Sequence, residues 1–177
     1  MPIIPVKPPL MTVLSLLLVL FFTTAVAQEK PAPEKPVPQK FKDWSKQCEV
    51  LPGLDQEVCY IFQNITVKKT GQVIMSINIH YPQNQKEPAM VVTLPLGVAL
   101  VPGISVQVDE GESLNIPYNI CINNGCRAGF SVEEPILVLL KKGNRLNISF
   151  ATIQGKGTKL STSLSGFTAA IAALGNP

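Results

Sequence analysis

Histidine and tryptophan occur once each in this 177-residue sequence, and aromatic residues make up only 6% of it. A Ser-His-Asp hydrolase needs a base beside its nucleophile. With His80 as the sole histidine, and no G-x-S-x-G anywhere, that chemistry has no evident seat. Structural zinc takes four nitrogen or sulfur ligands at short spacings. The four cysteines, Cys48, Cys59, Cys121 and Cys126, fall as C-x10-C and C-x4-C, and one histidine cannot complete the set. C-x-x-C is absent, which removes a thioredoxin-like redox site. Charge is sparse as well. Only 15% of residues are charged and the formal net charge is +3, which fits neither a nucleic-acid binder nor a partner for a strongly acidic protein. No apolar run approaches the ~20 residues of a spanning helix, and there is no internal repeat.

The longest apolar run, "LMTVLSLLLVLFF" from Leu10 to Phe22, follows Lys7 and precedes the small-residue pattern Ala25-Val26-Ala27. This is the form of a secretory signal peptide, with cleavage expected after Ala27. The next stretch, "QEKPAPEKPVPQK", mixes prolines with Lys and Glu and offers almost nothing to bury, so residues 28–40 read as an extended spacer. Residues 41–177 then suffice for one domain with a core of its own.

Short apolar runs separated by turn signals fill that domain: "VCYIFQNITV", "QVIMSINIHY", "AMVVTL", "ISVQV", "LNIPYNICI", "AGFSV" and "RLNISFAT". Val73, Met75, Ile77 and Ile79 alternate with Gln72, Ser76, Asn78 and His80, with Ile74 as the exception. Such period-two patterning predicts an all-β fold, an antiparallel sandwich or barrel-like domain. Two segments read as short helices instead. "EEPILVLLKKG" opens with acids and proline and closes with lysines and glycine, as the helix dipole and capping favour. "SGFTAAIAALG" offers Ser165 as N-cap, the stripe Phe167, Ile171 and Leu174, and Gly175 as stop.

In an exported chain the four cysteines are expected to be oxidised. Within "CINNGC", a two-residue Asn123-Asn124 loop sets Ile122 opposite Gly125 and Cys121 opposite Cys126, at about 4.5 Å between facing alpha-carbons. Asparagine tolerates the positive φ of such a turn, while the stronger Asn-Gly signal would shift the register by one and part the cysteines. Cys48 and Cys59 bracket another short turn-rich segment, so the expected pairs are Cys48–Cys59 and Cys121–Cys126.

Candidate functional residues are fewer. "DEGE" (Asp109, Glu110, Glu112) and "EEP" (Glu133, Glu134) offer carboxylates for a dyad or a calcium loop, but turns and helix starts place acids there anyway. Lys141, Lys142 and Arg145 cluster around Gly143, either as a phosphate, lipid or polysaccharide contact or as a solvated helix end. "LPLGVALVPG" carries Leu94, Leu96, Val98 and Leu100 between prolines that sit poorly in a central strand. It is either an exposed contact patch or packing between strands.

Taken in order, "FKDWSKQC" with the second cysteine of "EVCYIFQ", then "LPLGVALVPGISVQVDEGE", "IPYNICINNGCRAGF" and "STSLSGFTAAIAAL" resemble the invasion-associated locus B family of Gram-negative exported proteins, from about Phe41 to Leu174. The resemblance implies a β-sandwich-like domain in the periplasm or at the outer surface, linked by the family's name to host-cell invasion, with no assigned enzymatic activity. The expectation is therefore an exported interaction protein without cofactor or metal. Its ligand is an unidentified protein or an envelope or host-surface component, and no integral membrane segment remains after leader removal. The alternative is a periplasmic hydrolase with a carboxylate-based site, for which Asp109 and Glu112 would have to meet His80 or Glu133 in one pocket.

Overall fold

The computed structural model describes residues 37–50 and 56–175. The expected leader lies outside them, as does most of the expected spacer. From β1 (Gln39–Phe41) the chain turns into β2 (Trp44–Val50) and continues through β3 (Glu57–Thr66), β4 (Val73–His80) and β5 (Ala89–Leu94). It then crosses to a second layer for β6 (Ile104–Val108) and β7 (Ser113–Ile116), and returns as β8 (Ile120–Ile122) and β9 (Gly125–Ser131). Helix α1 (Glu134–Lys142), β10 (Arg145–Ala151), β11 (Gly157–Ser163) and α2 (Phe167–Ala173) complete it. Seven strands form one sheet in the order β1-β2-β3-β4-β5-β9-β8, and four form the other in the order β11-β10-β6-β7. Every pairing between these strands is antiparallel. The all-β sandwich with two short helices, one of them C-terminal, is the fold that the alternating pattern predicts.

Alternation decides which side chains go inward. Ile61, Met75, Ile77, Ile79, Met90, Val92, Leu94 and Ala128 from the large sheet meet Ile104, Val106, Leu146 and Ile148 from the small one. Leu137 and Leu140 of α1 join this core, as do Phe167, Ala170 and Ile171 of α2. Val73, at the strand's start, stays exposed.

Trp44 ties the layers together. It is fully buried, meets Phe167 edge-on with ring centroids 5.2 Å apart, and donates its indole N–H to the carbonyl of Ser163 at 3.1 Å. Beside it, the buried Gln63 and Thr162 side chains hydrogen-bond each other across the interlayer space. The Gln63 amide also donates to the carbonyl of Asp43, so neither polar group is buried without a partner.

Three expectations need correction. "LNIPYNICI" is not one strand. Pro117 has no N–H to give a ladder, and the chain there leaves the small sheet at Ile116 and joins the large one at Ile120. Ser165 does not cap α2: the N-cap is Gly166 at φ 89°, with no side-chain cap. A β-carbon at Gly166 would run into the carbonyl of Phe41, so only glycine lets β1 approach the helix start. In the β8–β9 hairpin neither asparagine takes positive φ. The register is the expected one, but Gly125, at φ 135°, supplies the unusual backbone, and a β-carbon there would collide with the carbonyl of Leu94.

Candidate functional site

The cysteines form two bridges, Cys48–Cys59 and Cys121–Cys126, with alpha-carbons 4.0 and 3.9 Å apart. Cys48, Cys59 and Glu57 are close enough for a metal cluster. However, the sulfurs are bonded to each other, which leaves no thiolate to act as a ligand.

The expected contact patch divides. Leu94 and Val98 belong to the core, at 1% and 6% exposure, because Leu94 ends β5 on its inward face and Val98 bridges to Thr152. This corrects the reading of both as contact residues. Leu96 and Leu100 remain exposed, at the end of the small sheet where β6 begins and β10 finishes. Lys141 and Lys142 are exposed at the end of α1, and Arg145 starts β10. The length of β10, about 20 Å at the usual rise per residue, separates these cations from the leucines, so the two halves do not form one surface.

Of the acids of "DEGE", Asp109 braces a turn. Asp109, at φ 50°, accepts the backbone N–H groups of Asn144 and Arg145 on its carboxylate. Its own carbonyl accepts from the Asn147 amide. His80 ends β4 and is half-buried. Burial holds its imidazole below the ordinary value, so it is neutral at neutral pH. Glu49, and neither Asp109, Glu112 nor Glu133, lines the cavity that His80 lines. The meeting of residues that the hydrolase alternative requires does not occur there.

What the sequence reading passes over is the outward face of the large sheet. The pairings set its side chains in rows that cross the strands. One row runs Tyr60, His80, Ala89, Ser131 and the next Phe62, Asn78, Val91, Gly129. A third runs Asn64, Ser76, Thr93, Arg127, Ile120. Two depressions lie on this face. One, of about 550 Å³, reaches from Asn64 and Gln72 past Ser76 to Leu96 and the hairpin residues Asn123 and Asn124. The other, of about 310 Å³, lies around Glu49, Tyr60 and His80. Asn78, Thr93 and Arg127 line both, which makes them one continuous groove.

Its chemistry is uneven along its length. At the β3 side, Tyr60 donates to Glu49 Oε1 at 2.8 Å. Burial, reinforced by that hydrogen bond and the carboxylate's charge, pushes the phenol up to about 12. Tyr60 packs against Phe62 with centroids 5.8 Å apart. Arg127 stands three strand spacings across the sheet, about 14 Å, and four residues further along it, about 14 Å again; among the described residues it is the sole Lys or Arg lining either depression. Between them are amides and hydroxyls. The groove can therefore offer an aromatic shelf, uncharged hydrogen-bonding groups and one guanidinium able to grip an oxyanion in bidentate fashion. The signal was present in the sequence as the polar half of the alternation in β3 to β5.

Comparison with known proteins agrees with this fold. A family model described as "Invasion associated locus B (IalB) protein" matches residues 44–175. Two curated relatives, both named invasion protein B homologs, come from Brucella abortus strains 2308 and 9-941; each is 24% identical over 149 residues and covers 84% of both chains. The crystal structure of invasion associated protein B from Bartonella henselae superposes with a TM-score of 0.69 at 19% identity, over 78% of this chain and 95% of that one.

Proposed function

Since the chain belongs to the invasion associated locus B family, we propose that it is exported and acts by binding, without catalysis, at the cell envelope or the surface of a host cell. The observation that carries this reading is the outward groove of the large sheet, with Arg127 at the crossing of its two depressions. An extended groove with well-separated polar anchors suits a ligand that lies along it. The names of the relatives, all of invasion proteins, support the same reading. Two disulfides suit an oxidising compartment. Among the described residues no helix is long and apolar enough to cross a membrane.

Purified protein labelled with a fluorophore and titrated onto cultured mammalian cells and onto isolated bacterial envelopes tests the groove. Arg127→Ala is expected to weaken binding to one of these surfaces by about tenfold with its thermal midpoint unchanged. Equal binding of variant and parent to both would remove the groove from the function. Export has its own check. Protein recovered from outside the cytoplasm is expected to begin at Gln28 on N-terminal sequencing, and recovery only of chains that retain Met1 would refute processing.

A further inference from the structure

The loop between β5 and β6 and the turn between β10 and β11 are fastened to each other by their backbones. The N–H of Ala99 donates to the carbonyl of Ala151 at 2.8 Å, and that of Ile153 to Gly97 at 2.9 Å. Val98 and Thr152 form an isolated bridge between these bonds, and the buried Val98 side chain roots the pair in the core. A loose loop could fold apolar side chains back onto the protein. This braced pair holds Leu96, Leu100, Val101 and Ile153 out in water, with Val101 fully exposed and Ile153 at 67%. Exposed apolar clusters on a fixed scaffold mark contact sites.

The charge around them has one sign. Residues 94–105 and 149–160 contain no Asp or Glu, while Lys156 follows Ile153 in its turn and Lys159 lies further on in β11, its exposed ammonium 3.4 Å from Gln107 Oε1. Lys159 lines the same depression as Pro102 and Gly103, so cationic and apolar groups adjoin in space as well as in sequence. Two copies meeting through this tip would set lysines against lysines with no acid from either segment. A surface of clustered anions over an apolar layer complements it on both counts.

We propose that this tip is a membrane-contact surface that seats on a bilayer containing anionic phospholipid. The four apolar side chains enter the boundary between headgroups and acyl chains, and Lys156 and Lys159 meet the phosphates. The inference does not rest on Arg127, and Leu96 is the one residue of the tip that also lines the groove.

The test uses the protein as recovered from expressing cells, sedimented with vesicles of phosphatidylcholine alone or with roughly one third phosphatidylglycerol, a composition that gives the surface a negative potential. Binding to the mixed vesicles is expected to exceed binding to phosphatidylcholine. Val101→Ser with Ile153→Ser is expected to lower it about tenfold. Lys156→Gln with Lys159→Gln should lower it about fivefold or more on the mixed vesicles alone, with thermal midpoints unchanged in both pairs. Absence of binding to the mixed vesicles, or binding that both pairs of substitutions leave intact, would overturn the proposal. So would vesicle-independent dimers that the Val101 and Ile153 substitutions dissolve, since the tip would then serve self-association.

Discussion

Trp44→Ala is expected to cost about 3–5 kcal/mol, the range for deleting a buried tryptophan, and so to consume much of the ~5–15 kcal/mol that holds a domain of this size folded. The loss has two parts. The fully buried indole leaves a cavity against Phe167, and the Ser163 carbonyl loses its 3.1 Å donor. Trp44→Phe separates them, because it keeps an aromatic ring but leaves the carbonyl unpaired, at about 1–3 kcal/mol. Urea unfolding followed by circular dichroism is the measurement, since the substitution removes the chain's sole tryptophan and with it the fluorescence probe. If alanine abolishes folding, the phenylalanine variant still reports. A phenylalanine variant as stable as the parent would show that the Ser163 bond contributes nothing.

Removing the bridges ranks second. Loop closure over sequence separations of 11 and 5 residues gives about 2.8 kcal/mol for Cys48–Cys59 and about 2.2 kcal/mol for Cys121–Cys126. Replacing both cysteines of either pair by alanine is expected to lower stability in that order and to reduce the yield of exported protein. The shorter bridge has a local effect too. It pins β8 to β9 beside Asn123 and Asn124, which line the groove, so its loss should weaken binding at the groove beyond what the stability change accounts for. A chelator should change neither property. Unaltered denaturation midpoints in both double variants would refute the stabilising role.

How much of this was legible in the sequence depended on what each strand turns inward. β4 and β5 present Met75, Ile77, Ile79, Met90 and Val92 to the core, so their alternation stands out. β2 and β11 escape notice for the opposite reason. β2 buries Trp44 and Ser45 within "WSKQCEV", and β11 turns Thr162 inward within "GTKLSTS". Thr162 is tolerated there because it pairs with Gln63, a partner 99 residues distant that no local pattern can announce. The bridges were legible because each joins cysteines only 11 or 5 residues apart on paired strands. The groove was not, because Asn64, Ser76, Thr93 and Arg127 come from separate strands and become a row only when register is known. Pro95 and Pro102 pointed to an unusual loop, but which of its residues face water depends on the backbone bonds to Gly97 and Ala151.

The ends of the large sheet have a bearing on what happens when many copies of the chain are crowded together. Its flanking strands, β1 and β8, are three residues long, so each leaves about 10 Å of backbone unpaired among the described residues. Their seven-residue neighbours β2 and β9 would each offer a longer template if they stood wholly at the border. Along β1 and β8 themselves a stray strand from another molecule therefore finds few hydrogen-bonding positions, whereas the seven-residue β11 at the border of the small sheet offers more. The Cys121–Cys126 bridge acts as a covalent latch on one of these borders. While it is closed, the terminal strand cannot peel away and expose β9 as a seed for polymerisation.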